Sequence, residues 1–177
     1  MFKKIFFLLL LATIGISCSN NDDSNNNSST GTTISLKLNG VNQTATITSA
    51  QLIKSQGSDE KLLQIIAENT DYSFQLNFFG SYSANNTLPL GNYIFDEESP
   101  EGYFYVSYKS NGNTFGMHLP QSGNLTISSM NESSLTVSGT FNQVLTGGGE
   151  VGGQTLPETL TVTDGTFSNI VYTVINL

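Results

Sequence analysis

The sequence predicts an all-β domain, an antiparallel two-layer sandwich of about ten short strands, with a small β-barrel as the alternative. Three observations carry this. Apolar and polar residues alternate with period two along most of the chain, which turns one side of each strand to a core and the other to water. Gly, Asn, Ser and Pro cluster between the alternating runs, where turns need them. Charged residues make up only 11 % of the 177, against roughly 25 % in an ordinary soluble domain. Ser, Thr, Asn and Gly fill their place, and these residues build turns and wet strand faces rather than long helices.

Ile34, Leu36 and Leu38 alternate with Ser35 and Lys37, and Asn39-Gly40 is the pair favoured in a two-residue type I′ turn. The return strand passes through Ala45 and Ile47. Leu62 to Ala67 reads as a buried strand. A helix over Asp59 to Glu68 competes, but the run is short and β-branched toward its end. Tyr72 to Phe78 alternates over its full length. In the run from 103 to 108, Tyr103 and Tyr105 fall on one face and Phe104, Val106 and Tyr108 on the other. Phe115, Met117 and Leu119 continue the pattern as core residues, followed by Leu125 and Ile127, then Leu135, Val137 and Phe141. Leu160 and Val162 precede Asp164-Gly165, expected as a second tight turn, and Ile170, Tyr172 and Val174 form the final alternation. Gly147 to Gly153 lacks the Lys and the following helix of a phosphate loop, so it reads as a hairpin tip.

The N-terminal segment is of another kind. Lys3 and Lys4 precede an apolar run from Ile5 to Ile16. That run is short of the roughly 20 residues a membrane-spanning helix needs, and it fits the apolar region of a signal peptide. The only cysteine of the chain, Cys18, follows at once in Ile14-Gly15-Ile16-Ser17-Cys18. This arrangement resembles the lipobox of bacterial lipoproteins, with Gly15 standing where Leu is usual. The resemblance implies cleavage before Cys18, diacylglycerol on its sulfur and a further acyl chain on its nitrogen. A thioether uses one thiolate and needs no second cysteine. Two or three acyl chains, at about 0.8 kcal/mol per buried methylene, hold a protein on a membrane without a transmembrane helix.

Residues 1–17 are thus expected to be signal peptide, 18–31 the lipidated cysteine and a polar linker, and 32–177 a single all-β domain. The linker, SNNDDSNNNSSTG, has no large apolar residue to offset chain entropy. Its random-coil reach is roughly 20 Å. Asp22-Asp23, just past the cysteine, resembles the acidic export signal of Bacteroidota-type surface lipoproteins, which implies the outer face of the outer membrane; a periplasmic face is the alternative. Loss of the signal peptide leaves four lysines against fourteen carboxylates, a formal charge of −10. Such a surface repels phosphate backbones, which excludes nucleic acid as a partner.

Further along, Ser122-Gly123-Asn124-Leu125-Thr126-Ile127, Ser138-Gly139-Thr140-Phe141 and Thr163-Asp164-Gly165-Thr166-Phe167 join the early Leu38-Asn39-Gly40. Together they resemble a group of uncharacterised Bacteroidota lipoproteins with GxLTI, SGTF and TDGxF strands. The resemblance implies an all-β lipoprotein and brings no catalytic residues. Physically, Gly139 is expected at a bulge or a tight contact, and Asp164-Gly165 where φ is positive.

Catalytic chemistry finds little to work with. The single histidine, His118, lies opposite Met117 and Leu119 and reads as a solvated or hydrogen-bonded strand residue. There is no G-x-S-x-G for a serine nucleophile, and one His without a further Cys makes no zinc site of the usual kind. Asp96, Glu97, Glu98 and Glu101 crowd a Pro/Gly loop and are the weak candidates for calcium, though their spacing is not that of an EF-hand. Tyr93, Tyr103 and Tyr105 are the candidate ligand-binding residues, as an aromatic shelf for glycan or an envelope protein. The expectation is a non-enzymatic binding or accessory module without cofactor beyond the lipid. A structural envelope protein is the alternative, and a surface-polymer hydrolase using Asp96 and Glu98 comes third.

Overall fold

The alternating runs become twelve strands in a computed structural model that describes residues 32–177 apart from 56, 58, 59 and 152. The expected signal peptide, Cys18 and the Asp22-Asp23 signal lie outside the described residues. The strands are β1 (Thr33–Leu38), β2 (Val41–Ser55), β3 (Glu60–Glu68), β4 (Tyr72–Ser81), β5 (Gly91–Ile94) and β6 (Gly102–Ser110). They continue with β7 (Asn113–Asn131), β8 (Thr136–Gly147), β9 (Gly149–Val151), β10 (Gln154–Leu156), β11 (Thr159–Val171) and β12 (Thr173–Asn176). The run at Leu62–Ala67 is strand, inside β3, and among the described residues there is no helix.

The architecture is a barrel rather than the sandwich that headed the expectations. Eight strands follow one another around the wall as β1, β2, β3, β4, β6, β7, β8 and β11, all antiparallel. β1 pairs with β2 on one side and with β11 on the other, which closes the ring. A sandwich and a barrel show the same period-two alternation; the β1–β11 pairing, about 130 residues apart in sequence, separates them, and no local pattern encodes it. Closure also satisfies the strand edges that a sandwich leaves open.

The interior is filled by side chains. Phe74, Phe78, Phe104, Phe141 and Phe167 pack there with Ile34, Leu52, Leu63, Ile65, Leu76 and Leu125. The Phe104 and Phe141 rings lie 5.0 Å apart, and Phe78 meets Phe167 edge-on at 5.9 Å. Gly139 is the tight contact: a Cβ there would sit 2.0 Å from the carbonyl oxygen of Thr126 and 2.5 Å from the Phe167 ring. Asn39 and Gly40 both have positive φ, 48° and 78°, as a type I′ turn requires.

Two sequence expectations fail locally. Asp164-Gly165 is not a turn but a bulge inside β11: Asp164 has φ 53°, and the β11–β8 register shifts between Val162 and Gly165. Asp164 and Gly165 thus bend a continuous strand, and Gly165 is bare because a Cβ would meet Phe141 at 2.5 Å. In β7 the faces are inverted. Met117 and Leu119 are exposed while His118 is fully buried in the barrel. The register between β6 and β7 shifts at Tyr108/Lys109, leaving Phe115 as the extra residue and turning it onto the Tyr108 side.

Strand directions define two ends. The β2–β3, β4–β6 and β7–β8 connections lie at one end. The β1–β2, β3–β4, β6–β7 and β8–β11 connections lie at the other. Two short strands repair the wall near the first end. β5 pairs with β7 over 124–127 where β6 has peeled away, and β12 runs parallel to β2 along 51–54 beyond the reach of β1. Inside the split, Gln143 of β8 accepts a hydrogen bond from the backbone N–H of Phe104 at 2.7 Å, in place of a lost ladder bond.

Candidate functional site

At the first end, two lysines point into the barrel. Lys54 and Lys61 pair across β2 and β3 on the same face as Leu52 and Leu63, and both are buried. The loop from Tyr82 to Leu90 folds over them. Lys61 Nζ donates to Ser83 Oγ at 2.5 Å, Asn85 Oδ1 at 2.6 Å, Asn85 O at 2.7 Å and Thr87 O at 3.0 Å, so three protons serve four oxygens. Lys54 Nζ reaches Ala84 O and Asn86 Oδ1 at 2.8 and 3.1 Å. Burial, then the charge of Lys54, lowers the Lys61 ammonium below its usual range, and Glu132 works against them. The rest of the loop is pinned too. Asn86 N–H donates to Glu132, Tyr172 and Tyr93 hydroxyls donate to Asn86 O and Pro89 O, and Leu88 is buried against Gly80. This end is a cap.

The opposite end carries a groove of about 480 Å³, bounded by the turns 70–72 and 108–111 and by the segment 154–157. Its floor is aromatic. Tyr72 and Tyr108 are a cross-strand pair, ring centroids 5.5 Å apart and edge-on, and Phe115 lies 5.9 Å from Tyr108. Neither the Tyr72 nor the Tyr108 hydroxyl has a hydrogen-bond partner among the described residues. Burial, then Asp71, raises the Tyr72 phenol. Burial, then Tyr72, pushes that of Tyr108 up to about 12.

Behind the floor stands His118, its ring 5.4 Å from that of Tyr108. Nε2 faces the Pro157 carbonyl oxygen at 2.5 Å. A carbonyl has no proton to give, so Nε2 carries the hydrogen and donates. Nδ1 is buried and has no partner among the described residues. This bond, with Gly147 N–H to Glu158 O at 3.0 Å and the buried Leu156, straps the β9–β10 hairpin across the end of the barrel. Gly147 makes the space: a Cβ there would press on the His118 backbone and ring at 3.0 Å. The expectation of a hydrogen-bonded strand histidine holds, and that of a solvated one fails.

The three candidate tyrosines do not share a face. Tyr93 is buried at the capped end, edge-on to Phe78 at 5.4 Å, and its phenol is pushed up to about 12 by burial and then by Glu101. Tyr103 and Tyr105 remain together, half-buried on the outer wall with rings 6.3 Å apart, and Phe79 lies 5.6 Å from Tyr103. The Tyr105 hydroxyl donates to Gln75 Oε1. Asp96, Glu97, Glu98 and Glu101 lie exposed on the loop between β5 and β6. Asp96 accepts the Glu98 N–H at 2.8 Å in a local turn, and Glu101 accepts the Ile94 N–H at 3.4 Å. Among the described residues no three His, Cys, Asp or Glu side chains converge as a metal-holding group.

Sequence reasoning missed the grooved end. Tyr72 opens one alternating run and Tyr108 ends another, and an inward aromatic beside a turn sits at a barrel mouth. That signal was present, but it points to a mouth only once the sheet is known to close. No family model, no curated protein and no solved structure matches the chain.

Proposed function

We propose that this chain is a lipid-anchored envelope lipoprotein whose barrel is a non-enzymatic binding module, displayed on the outer membrane with the grooved end outward. Cys18 carries the diacylglycerol and N-acyl chains, and Asp22-Asp23 directs the protein to the cell surface. The observation that carries the binding reading is the grooved end itself: a recess of about 480 Å³, within the size range of small-molecule sites, floored by Tyr72, Tyr108 and Phe115 with both phenols free. The direction of β1 supports the orientation. It runs toward the grooved end, so the tether joins at Thr32, beside Ile47 partway along the wall, from the side away from the groove. Asp96 and Glu98 share one exposed loop rather than facing each other across a cleft, and the Asp96 carboxylate is taken up by the Glu98 backbone N–H, which favours binding over polymer hydrolysis.

A second reading, a purely structural envelope protein, draws on the filled interior, which keeps ligands out of the barrel's centre. The resemblance to the Bacteroidota lipoproteins fits both readings. Radioactive fatty acid fed to cells tests the anchor: label on the protein, lost in Cys18→Ser, supports it, and label on the variant overturns it. Protease shaving of intact cells tests display, and resistance of a protein that is cut after lysis would place it on the periplasmic face.

A further inference from the structure

We infer that the groove takes a neutral saccharide, with sugar rings stacked on the half-buried Tyr72 and Phe115, which the buried Tyr108 ring backs; this rests on the binding reading above and names its ligand class. A sugar ring has one face of C–H groups and a rim of hydroxyls. It therefore needs an aromatic surface and several uncommitted donors and acceptors around it. The groove offers both. Three aromatic rings form the floor. Around them the Asp71 carboxylate, the Asn111 and Gln154 amides and the Thr155 hydroxyl are exposed, without side-chain partners among the described residues. The two phenols add further donors and acceptors.

Charge narrows the class. Among the described residues the one cation on the rim, Lys109, is paired with Glu68 at 2.6 Å, and the Asp71 carboxylate has no cationic partner. Phosphate, acidic sugars and nucleic acid are repelled; neutral hydroxylated rings are not. A peptide bound by strand addition needs a free sheet edge; closure leaves none on the eight wall strands, and the edge of β10 at the groove is only three residues long.

The strap fixes the recognition geometry. His118 holds Pro157, and Pro157 follows β10, whose residues Gln154 to Leu156 line the groove beside the rings. The polar rim is thus built on the barrel wall rather than on a free tip.

Calorimetry of the full-length protein in detergent tests this, with neutral hexasaccharides of glucose, mannose and galactose, a hexamer of galacturonate, and a phenylalanine-containing peptide as probes. At least one neutral hexasaccharide should bind, and the galacturonate hexamer more weakly or not at all. Tyr72→Ala, with its fold checked by circular dichroism, should weaken binding about tenfold, and exposed Gln154→Ala by a few fold. A protein that binds the peptide through Tyr72 but no neutral sugar overturns the saccharide class and leaves the binding reading standing. Binding of neither overturns both. Sugar binding that ignores Tyr72→Ala and Gln154→Ala but falls with Tyr103→Ala moves the site to the outer wall and overturns the groove.

Discussion

The two ends of this barrel use polar side chains in opposite ways. At the capped end, Lys54, Lys61, Ser83, Asn85, Asn86, Glu132, Tyr93 and Tyr172 all bond within the protein. At the grooved end, Tyr72, Tyr108, Asn111, Gln154 and Thr155 leave their side-chain donors and acceptors uncommitted among the described residues. Buried polar groups must find partners, and the cap shows how a barrel mouth looks when they find them internally. The other mouth keeps exposed polar groups uncommitted around aromatic rings, open to water and to partners from outside. The four described lysines repeat the lesson. Lys37 makes an exposed pair with Asp164 at 2.8 Å and Lys109 a half-buried one with Glu68 at 2.6 Å, while Lys54 and Lys61 are folded into the cap with neutral oxygens.

The contrast can be broken by mutation, most sharply at the cap. Lys61→Ala removes the donor from four oxygens, and urea unfolding should show a loss of about 3 kcal/mol. Lys37→Ala, which breaks the exposed pair with Asp164, should lose no more than about 1 kcal/mol. Equal losses would mean that the cap is not what the buried ammoniums hold. His118→Phe at the other end removes the donor to Pro157 O, with an expected cost of about 1–2 kcal/mol. In the same variant the Gly147 amide, bonded to Glu158 O, should exchange its hydrogen faster as the strap loosens.

Alkaline pH acts on both ends and on the outer wall. Tyr93 at the cap, Tyr108 at the groove and Tyr103 on the wall all have phenols pushed up to about 12, chiefly by burial, from the usual 10.0. The folded chain keeps protons that the unfolded chain gives up, so this contribution is complete below pH 10 and is lost as pH rises through about 12. Phenolate absorbance in single Tyr→Phe variants should lose a late-titrating step each time, and a step near the usual value would contradict burial at that tyrosine. The smallest effect belongs to Asp71→Asn on the exposed rim. It should change stability by less than about 0.5 kcal/mol while easing the entry of acidic sugars.

Much of the wall was legible in the sequence, because burial of one strand face imposes period two on the residues themselves. Ile34, Leu36, Leu38, Phe74, Leu76, Phe78, Phe104 and Val106 all point inward as their alternation requires. Gly139 was legible as a crowded position. Three things were not. Closure depends on β1 meeting β11, a long-range pairing that leaves no local trace. The inversion of β7 depends on a bulge at Phe115 and on room beside Gly147, so that a polar His118 takes the inside and Met117 and Leu119 the outside. Tyr93 went to the core because a short strand, β5, slips in beside β7, and no run of four residues announces such a repair. The groove was missed for the first of these reasons: mouths exist only in closed sheets.

Native-state hydrogen exchange on the ligand-free protein tests the asymmetry of the two ends most directly. The cap amides of Asn86 and Leu88, bonded to Glu132 and Met130, should exchange only with global unfolding. The amides of Gln154 and Thr155 on the strap should exchange through local opening at a much lower free energy. Cap amides that open as readily as the strap, or more so, would contradict the assignment of one end as closed structure and the other as the face that meets a ligand.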